Sequence, residues 1–141
     1  LYADYGLGTT VWSPLAGGWL SGKYRRDQPP SPESRVGRAD RWDDMPEQRA
    51  TESIWRIVDA LSEAAAARGK THAQVALNWL LQQPGVTAPI MGARTLAQLE
   101  ENLGGAGWAL SADEVTKLNA ASDIALPSPY SFIARYTRKR A

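Results

Sequence analysis

At 141 residues, with 43% apolar side chains, the chain is long enough to bury a core without a disulfide or metal staple. It has no cysteine and a single histidine, His72, which excludes disulfide frameworks, zinc fingers, iron–sulfur sites, thiol nucleophiles and any metal site built on two imidazoles. Sixteen Lys and Arg against fifteen Asp and Glu give a net charge of +1, with no footprint for nucleic acid and no uncharged run near the roughly 18 residues that span a membrane.

The first residues, Leu1–Gly8, read as the end of a helix stopped at Gly6 or Gly8, since glycine accepts the left-handed turn that follows a helix. Thr9-Thr10-Val11-Trp12-Ser13 is β-branched and aromatic and predicts a short strand ended by Pro14. Residues 15–49, with Gly17-Gly18, Gly22 and Pro29-Pro30-Ser31-Pro32, predict a long irregular loop of the kind that is usually a functional lid or disordered. From about Ala50 to Arg68, Ile54, Ile57, Val58 and Leu61 fall on one helical face, stopped by Gly69.

Three more helix starts carry the capping-box spacing: Thr71 with Gln74, Thr95 with Gln98, and Ser111 with Glu114. In this box a hydroxyl accepts from the N3 amide while the N3 side chain reaches back to the cap amide. They predict helices over about 71–83, 95–103 (Leu96, Leu99 and Leu103 on one face) and 111–122 (Val115 and Leu118 inward). Between the first two, Val86–Met91 predicts a strand, weakened by Pro89, which lacks a ladder donor. After Ser122 the tail reads as irregular, closing on Arg138-Lys139-Arg140. Strands alternating with helices argue for parallel pairing, but two strands do not make a sheet that buries both faces, so the order suits part of an α/β domain.

In α/β folds ligands collect at the carboxyl ends of strands. The second such end here is Met91-Gly92-Ala93-Arg94-Thr95, running into a capped helix. Free amides, the positive end of the helix dipole and the planar Arg94 fork suit a phosphate. Gln98, Glu101 and Asn102, a turn further on, are placed to hydrogen-bond a nucleoside, or are ordinary polar surface. At the first strand end, Gly17 to Tyr24 comes one residue short of a nucleoside-triphosphate loop: Tyr24 stands where Ser or Thr would hold Mg²⁺, and this reading is rejected. Trp12 could stack a ring or fill a core, and the residue pattern alone favours the core. His72, the adjacent pairs Asp43-Asp44 and Glu100-Glu101, the basic tail beginning at Arg135, and Tyr130, Phe132 and Tyr136 carry no catalytic signature and read as packing or solvated surface.

The blocks Trp12-Ser13-Pro14-Leu15-Ala16-Gly17-Gly18, Ser21-Gly22-Lys23-Tyr24, Ala73 to Leu81, Pro89 to Arg94 and Gln98 to Leu103 resemble, in order and spacing, the aldo-keto reductase superfamily, in particular the bacterial branch similar to potassium-channel β-subunits. The resemblance implies an incomplete (β/α)₈ TIM barrel: the seventh and eighth βα units plus a C-terminal helix and tail, the whole of 1–141 forming the C-terminal part of one such domain. A complete barrel typically needs roughly 250 residues, so the resemblance casts the chain as a fragment. It implies NADP(H) as cofactor and a small-molecule carbonyl as substrate, reduced to an alcohol. Trp12 would stack on the nicotinamide. Ser13, Pro14, Leu15, Ala16 and Gly17 would line the pyrophosphate, Lys23 would approach the phosphates, and Arg35 would be a lid arginine. Gly92, Ala93 and Arg94 would hold the 2′-phosphate, with Gln98, Glu101 and Asn102 around adenine and ribose. The family's catalytic Asp, Tyr, Lys and His belong to earlier strands; His72, Tyr5 and Lys23 match none of those motifs and inherit no role. The chain is thus expected to be inactive alone, to act without metal, nucleic-acid or membrane partners, and to be cytoplasmic, as residues 1–20 lack the order of a secretory signal. The alternative is a non-catalytic nucleotide- or protein-binding module derived from the same barrel.

Overall fold

Glycine and proline punctuate the chain where the backbone turns. In the computed structural model, which describes residues 2–34, 37 and 51–137, the elements are α1 (Tyr2–Tyr5), β1 (Thr9–Trp12), a 3-10 segment (Ala16–Ser21), α2 (Glu52–Arg68), α3 (His72–Leu81), β2 (Val86–Ile90), α4 (Leu96–Leu103), α5 (Ala112–Ser122) and α6 (Tyr130–Thr137). Of the two candidate stops after α1, Gly6 takes the left-handed conformation, at φ +64°. Gly8 is small for another reason, since a Cβ there would collide with the Thr87 side chain of the neighbouring strand.

β1 and β2 pair in parallel, with Thr10 opposite Ala88, Val11 opposite Pro89 and Trp12 opposite Ile90. Thr9 extends the pairing by donating both its amide and its hydroxyl to the Gly85 carbonyl, at 2.9 and 2.7 Å. Pro89 is tolerated because, among the described residues, the sheet has two strands, and each strand therefore has an edge that needs no donor.

Two sequence expectations are corrected. The stretch after Pro14, expected to be irregular, contains the 3-10 segment, which bends at Gly17 and Gly18. The tail, also expected to be irregular, folds into α6 after the loop 123–129. Arg35, Asp43-Asp44 and Arg138-Lys139-Arg140 lie outside the described residues.

The caps explain the helix boundaries. Thr71 and Ser111 each close a full capping box, with Gln74 and Glu114. Thr95 accepts from the Gln98 amide at 3.2 Å, but the Gln98 side chain passes over the cap and accepts from Arg94 N at 2.9 Å, so the third box is displaced by one residue. Glu114 also receives the Arg68 guanidinium, at 2.8 and 2.6 Å. That fork holds the Glu114 carboxyl well below its usual range, at about 2, and ties the end of α2 to the start of α5.

The core lies among the helices. Leu61, Ala64 and Ala65 of α2 meet Val75 and Ala76 of α3, with Leu110 and Leu118 closing the cluster. A second cluster packs Trp19 and Tyr24 against Trp55 and Val58 of α2. Leu96, Leu99 and Leu103 share a face of α4, as their spacing indicates, but that face is exposed. The helix meets α3 through polar and glycine contacts instead. Gln74 Nε2 donates to the Glu101 carbonyl at 3.1 Å, and a Cβ on Gly105 would come within 2.9 Å of the Leu77 Cβ.

The most connected buried side chain is polar. Asn78, 2% exposed, donates to the carbonyls of Gly105 (3.0 Å) and Trp108 (2.8 Å) and accepts from Leu110 N (3.1 Å) and Gln82 Nε2 (2.6 Å). Asn78→Ala orphans two carbonyls and an amide, each costing about 1–3 kcal/mol when buried unsatisfied. A destabilisation of at least about 3 kcal/mol is expected in urea unfolding, and a cost below about 1 kcal/mol would show that water replaces the carboxamide.

Candidate functional site

Parallel pairing sends both strands toward the same edge. Trp12 opposite Ile90 means that the chain leaves β1 into residues 13–23 beside the point where it leaves β2 into residues 91–95, so the two anion-binding candidates of the sequence stand next to each other. Trp12 itself is 75% exposed. The core role favoured for it on residue grounds is therefore corrected: among the described residues β1 has one neighbouring strand and the core is made between helices, so the ring lies outside both.

The loop after β1 is conformationally unusual. Ser13 and Ala16 have φ of +57° and +49°, and Gly17, Gly18 and Gly22 follow at +68°, +98° and +79°. For a residue with a Cβ this region costs roughly 1–2 kcal/mol, and such outliers cluster at ligand clamps and active sites. A turn that passes from a right-handed to a left-handed residue can also gather successive backbone amides into a concavity that suits an anion. The turn is braced internally: Ala16 N donates to the Ser13 carbonyl (2.9 Å), and Gly18 N and Leu20 N both donate to that of Leu15 (2.8 and 3.3 Å).

Lys23 returns over this loop. A Cβ on Gly18 would lie 2.5 Å from Lys23 Nζ, so Gly18 leaves the space in which the ammonium sits against the glycine turn, and the Tyr24 ring supports the ammonium from 5.0 Å. The 3-10 segment is anchored by Trp19, whose ring meets Tyr24 at 4.8 Å and Trp55 edge-on at 5.6 Å.

On the second loop Gly92, Ala93 and Arg94 are all exposed, and nothing lies within 4 Å of where a Gly92 Cβ would be. Among the described residues the Arg94 guanidinium has no hydrogen bond or ion pair, whereas Arg26 is tied to Glu52 and Asp59 and Arg68 to Glu114. An unneutralised guanidinium at the start of α4 can take a phosphate bidentately. Along α4, Gln98 is engaged with the Arg94 amide, Glu101 is half-buried and Asn102 is 8% exposed. The three therefore do not form one open polar face.

The structure thus gathers Trp12 to Gly17, Lys23 and Gly92 to Arg94 at one edge of the sheet. Sequence reasoning missed the backbone strain at Ser13 and Ala16 and the role of Gly18; the Gly17-Gly18 doublet was the visible trace of both. The strain has a direct test. Glycine for alanine in a helix interior costs about 1 kcal/mol, as expected for the exposed Ala66→Gly in α2. Ala16→Gly should cost nothing or stabilise, because it relieves a left-handed alanine. Equal losses for both variants in thermal melts would show that Ala16 is unstrained.

Comparison with known proteins places the chain in a family. Residues 1–123 match the model of the aldo/keto reductase family. The chain is 36% identical over 103 residues to a probable voltage-gated potassium channel subunit beta of Arabidopsis thaliana, covering 73% of this chain and 31% of that protein. It is 35% identical over 138 residues to the chloroplastic pyridoxal reductase of the same plant, covering 97% and 34%. It is 37% identical over 99 residues to the L-glyceraldehyde 3-phosphate reductase of Escherichia coli K12, covering 70% and 28%. It spans about a third of the length of these relatives. The family's fold is a (β/α)₈ barrel, and a parallel strand pair with its helices is consistent with part of one. The chain belongs to the aldo/keto reductase family.

Proposed function

We propose that this chain is the C-terminal portion of an NADP(H)-dependent reductase of aldehydes and ketones, formed by the seventh and eighth βα units of the barrel, and that it supplies cofactor-binding loops rather than the proton-donating machinery. One observation carries this reading: the parallel register that sets the strained loop 13–18, with Lys23 across it, beside the open Gly92-Ala93-Arg94 turn. The residues fit a dinucleotide phosphate. Two cations stand at the same sheet edge, the turn after β1 brings backbone close to that edge, and a broad indole is exposed at the strand end.

In this reading Ser13 to Gly17 line the pyrophosphate, with the amides of Ser13, Leu15 and Gly17 as its donors, since Pro14 has no N–H and the Ala16 amide is taken by the Ser13 carbonyl, and Lys23 adds charge from above Gly18. Trp12 offers its face to the nicotinamide, which when bound supplies the hydride of the reaction. Arg94 takes the 2′-phosphate at the start of α4, Glu101 and Asn102 contribute at the adenosine, and Gln98 holds the Arg94 amide in place. Arg35, in the family resemblance a lid residue, lies outside the described residues. The sequence supplies no counterpart of the family's catalytic Asp, Tyr, Lys and His. The 141-residue chain should therefore give no carbonyl-dependent oxidation of NADPH above a buffer control. Turnover by the chain itself would mean that its own residues supply the acid.

Cofactor preference gives the sharper test. A hydrogen bond to a charged group is worth about 1.5–3 kcal/mol, or roughly 10- to 150-fold in affinity. Arg94→Ala should weaken NADPH binding by that factor and leave NADH nearly untouched, read from quenching of tryptophan fluorescence. Equal losses for both would make Arg94 structural. No loss for either would place the phosphate elsewhere and favour a module that binds some other ligand.

A further inference from the structure

The single histidine sits behind the loop that carries Lys23. His72 is the first residue of α3, after the Thr71 cap, and its Nε2 lies 2.8 Å from the Ser62 hydroxyl of α2. Ser62 has one hydrogen, and it goes to the Val58 carbonyl at 2.8 Å. The hydroxyl oxygen therefore accepts, Nε2 carries the proton, and in the neutral ring Nδ1 is bare. That bare edge faces the turn: a Cβ on Gly22 would lie 2.8 Å from Nδ1 and 2.9 Å from Cγ. Gly22, at φ +79°, is the residue through which the chain leaves the 3-10 segment and enters Lys23.

We propose that His72 is a positioning residue for the phosphate-side loop: its neutral imidazole, anchored on Ser62, is the floor on which Gly22 turns and presents Lys23. The proposal rests, for its ligand, on the cofactor reading above. A charged ring does not fit this seat. Nδ1 would gain a proton pointed at a glycine turn, with Ser62 already engaged on the other side. Among the described residues, the elements packed around the ring offer no compensating anion. α2 presents the Ser62 hydroxyl, the turn presents Gly22, and the charged group that bears on the ring is Arg25, a cation. The start of α3 is itself the positive end of a helix dipole. Burial and Arg25 accordingly hold the His72 pKa below its ordinary value of 6.5. Native His72 resists a proton that the unfolded chain accepts, so the seat is intact above that range and is lost as the pH falls through it.

Because the chain has one histidine, its ring resonances are unambiguous in NMR. Titrating the 141-residue chain should give a His72 midpoint below 6.5, with the Gly22 and Lys23 amides moving at the same midpoint. Those amides holding still while the ring titrates would overturn the proposal. NADP⁺, which survives acid, is the probe for binding. The wild type should lose about tenfold in affinity as His72 protonates, the scale of one charge-assisted contact. Simple attraction of an anion to a new cation would act in the opposite direction. The 2′-phosphate also titrates, near pH 6 for a phosphate monoester, so His72→Gln is the control. Its amide keeps a donor to Ser62 without titrating, and it should retain neutral-pH affinity and lose the steeper part of the pH dependence. His72→Ala should be weak at every pH. Identical pH profiles for wild type and His72→Gln would overturn the proposal. Loop amides that follow the ring in a chain that does not bind NADP⁺ would instead leave the positioning role standing and remove the cofactor reading.

Discussion

The Asn78 carboxamide uses all four of its hydrogen-bonding positions inside the protein, and much of the architecture depends on that arrangement. Its two donors and two acceptor sites bind backbone groups of residues 105–110 and the Gln82 side chain, fastening the connection between α4 and α5 onto α3. A buried polar group in this state specifies one geometry, since any other leaves it or its partners unpaired. Gly104 and Gly105 allow the close approach: a side chain at Gly104 would strike the Gln74 amide and one at Gly105 the Leu77 Cβ. The end of α4 is thereby fixed against α3. Arg94 lies just before the Thr95 cap of the same helix.

The first loop is held by a different device. Left-handed conformations at Ser13 and Ala16 would relax in an isolated peptide, so both ends of the turn must be constrained. Before it, β1 is paired to β2 as far as Trp12. After it, Trp19 is 2% exposed and wedged between Tyr24 and Trp55. Arg26 lies over the Trp55 ring at 5.5 Å and reaches Glu52 and Asp59. Trp19 brings its own cost, an indole N–H buried without a partner among the described residues, worth about 1–3 kcal/mol. The burial of two large aromatic rings offsets it, each contributing on that scale or above.

Features that depend on neighbouring residues in sequence were legible. Gly69 closes α2 in the left-handed conformation, and the Thr71 and Ser111 boxes form as their spacing indicates, because a cap concerns only residues three apart. The third box misled because Gln98 had two amides within reach, and nothing local decides between those of Thr95 and Arg94. Asn78 was invisible for the opposite reason. It sits in the apolar run Val75-Ala76-Leu77, where one polar residue gives no sign that its partners lie about 30 residues onward. The positive φ at Ser13 and Ala16 could not be read either, since neither residue type marks that conformation. Trp12 and the leucines of α4 have the right periodicity and the wrong environment: alternation shows which side chains share a face, and the number of strands present decides whether that face is covered. On the site, the family blocks mark both loops in the sequence, while the engagement of Gln98 and the burial of Asn102 follow from neighbours that spacing does not show.

Core and site are carried by different parts of the molecule. The two buried clusters join α2, α3 and α5 with the 3-10 segment, whereas Trp12, Ile90 and Gly92 to Arg94 are exposed around a two-stranded sheet. In a layered α/β domain the strands are the middle of the core, and altering their ends disturbs packing as well as binding. Among the described residues the helices pack mainly on one another. The exceptions are the points where the two systems touch. Gly22 rests on His72, and Trp19 binds the strained loop to α2. Gln74 spans the two helices, its carbonyl oxygen on the Thr71 amide and its amide nitrogen on the Glu101 carbonyl. A change at one of those residues alters loop geometry through the helices, and there the stability of the core and the shape of the loops are a single property.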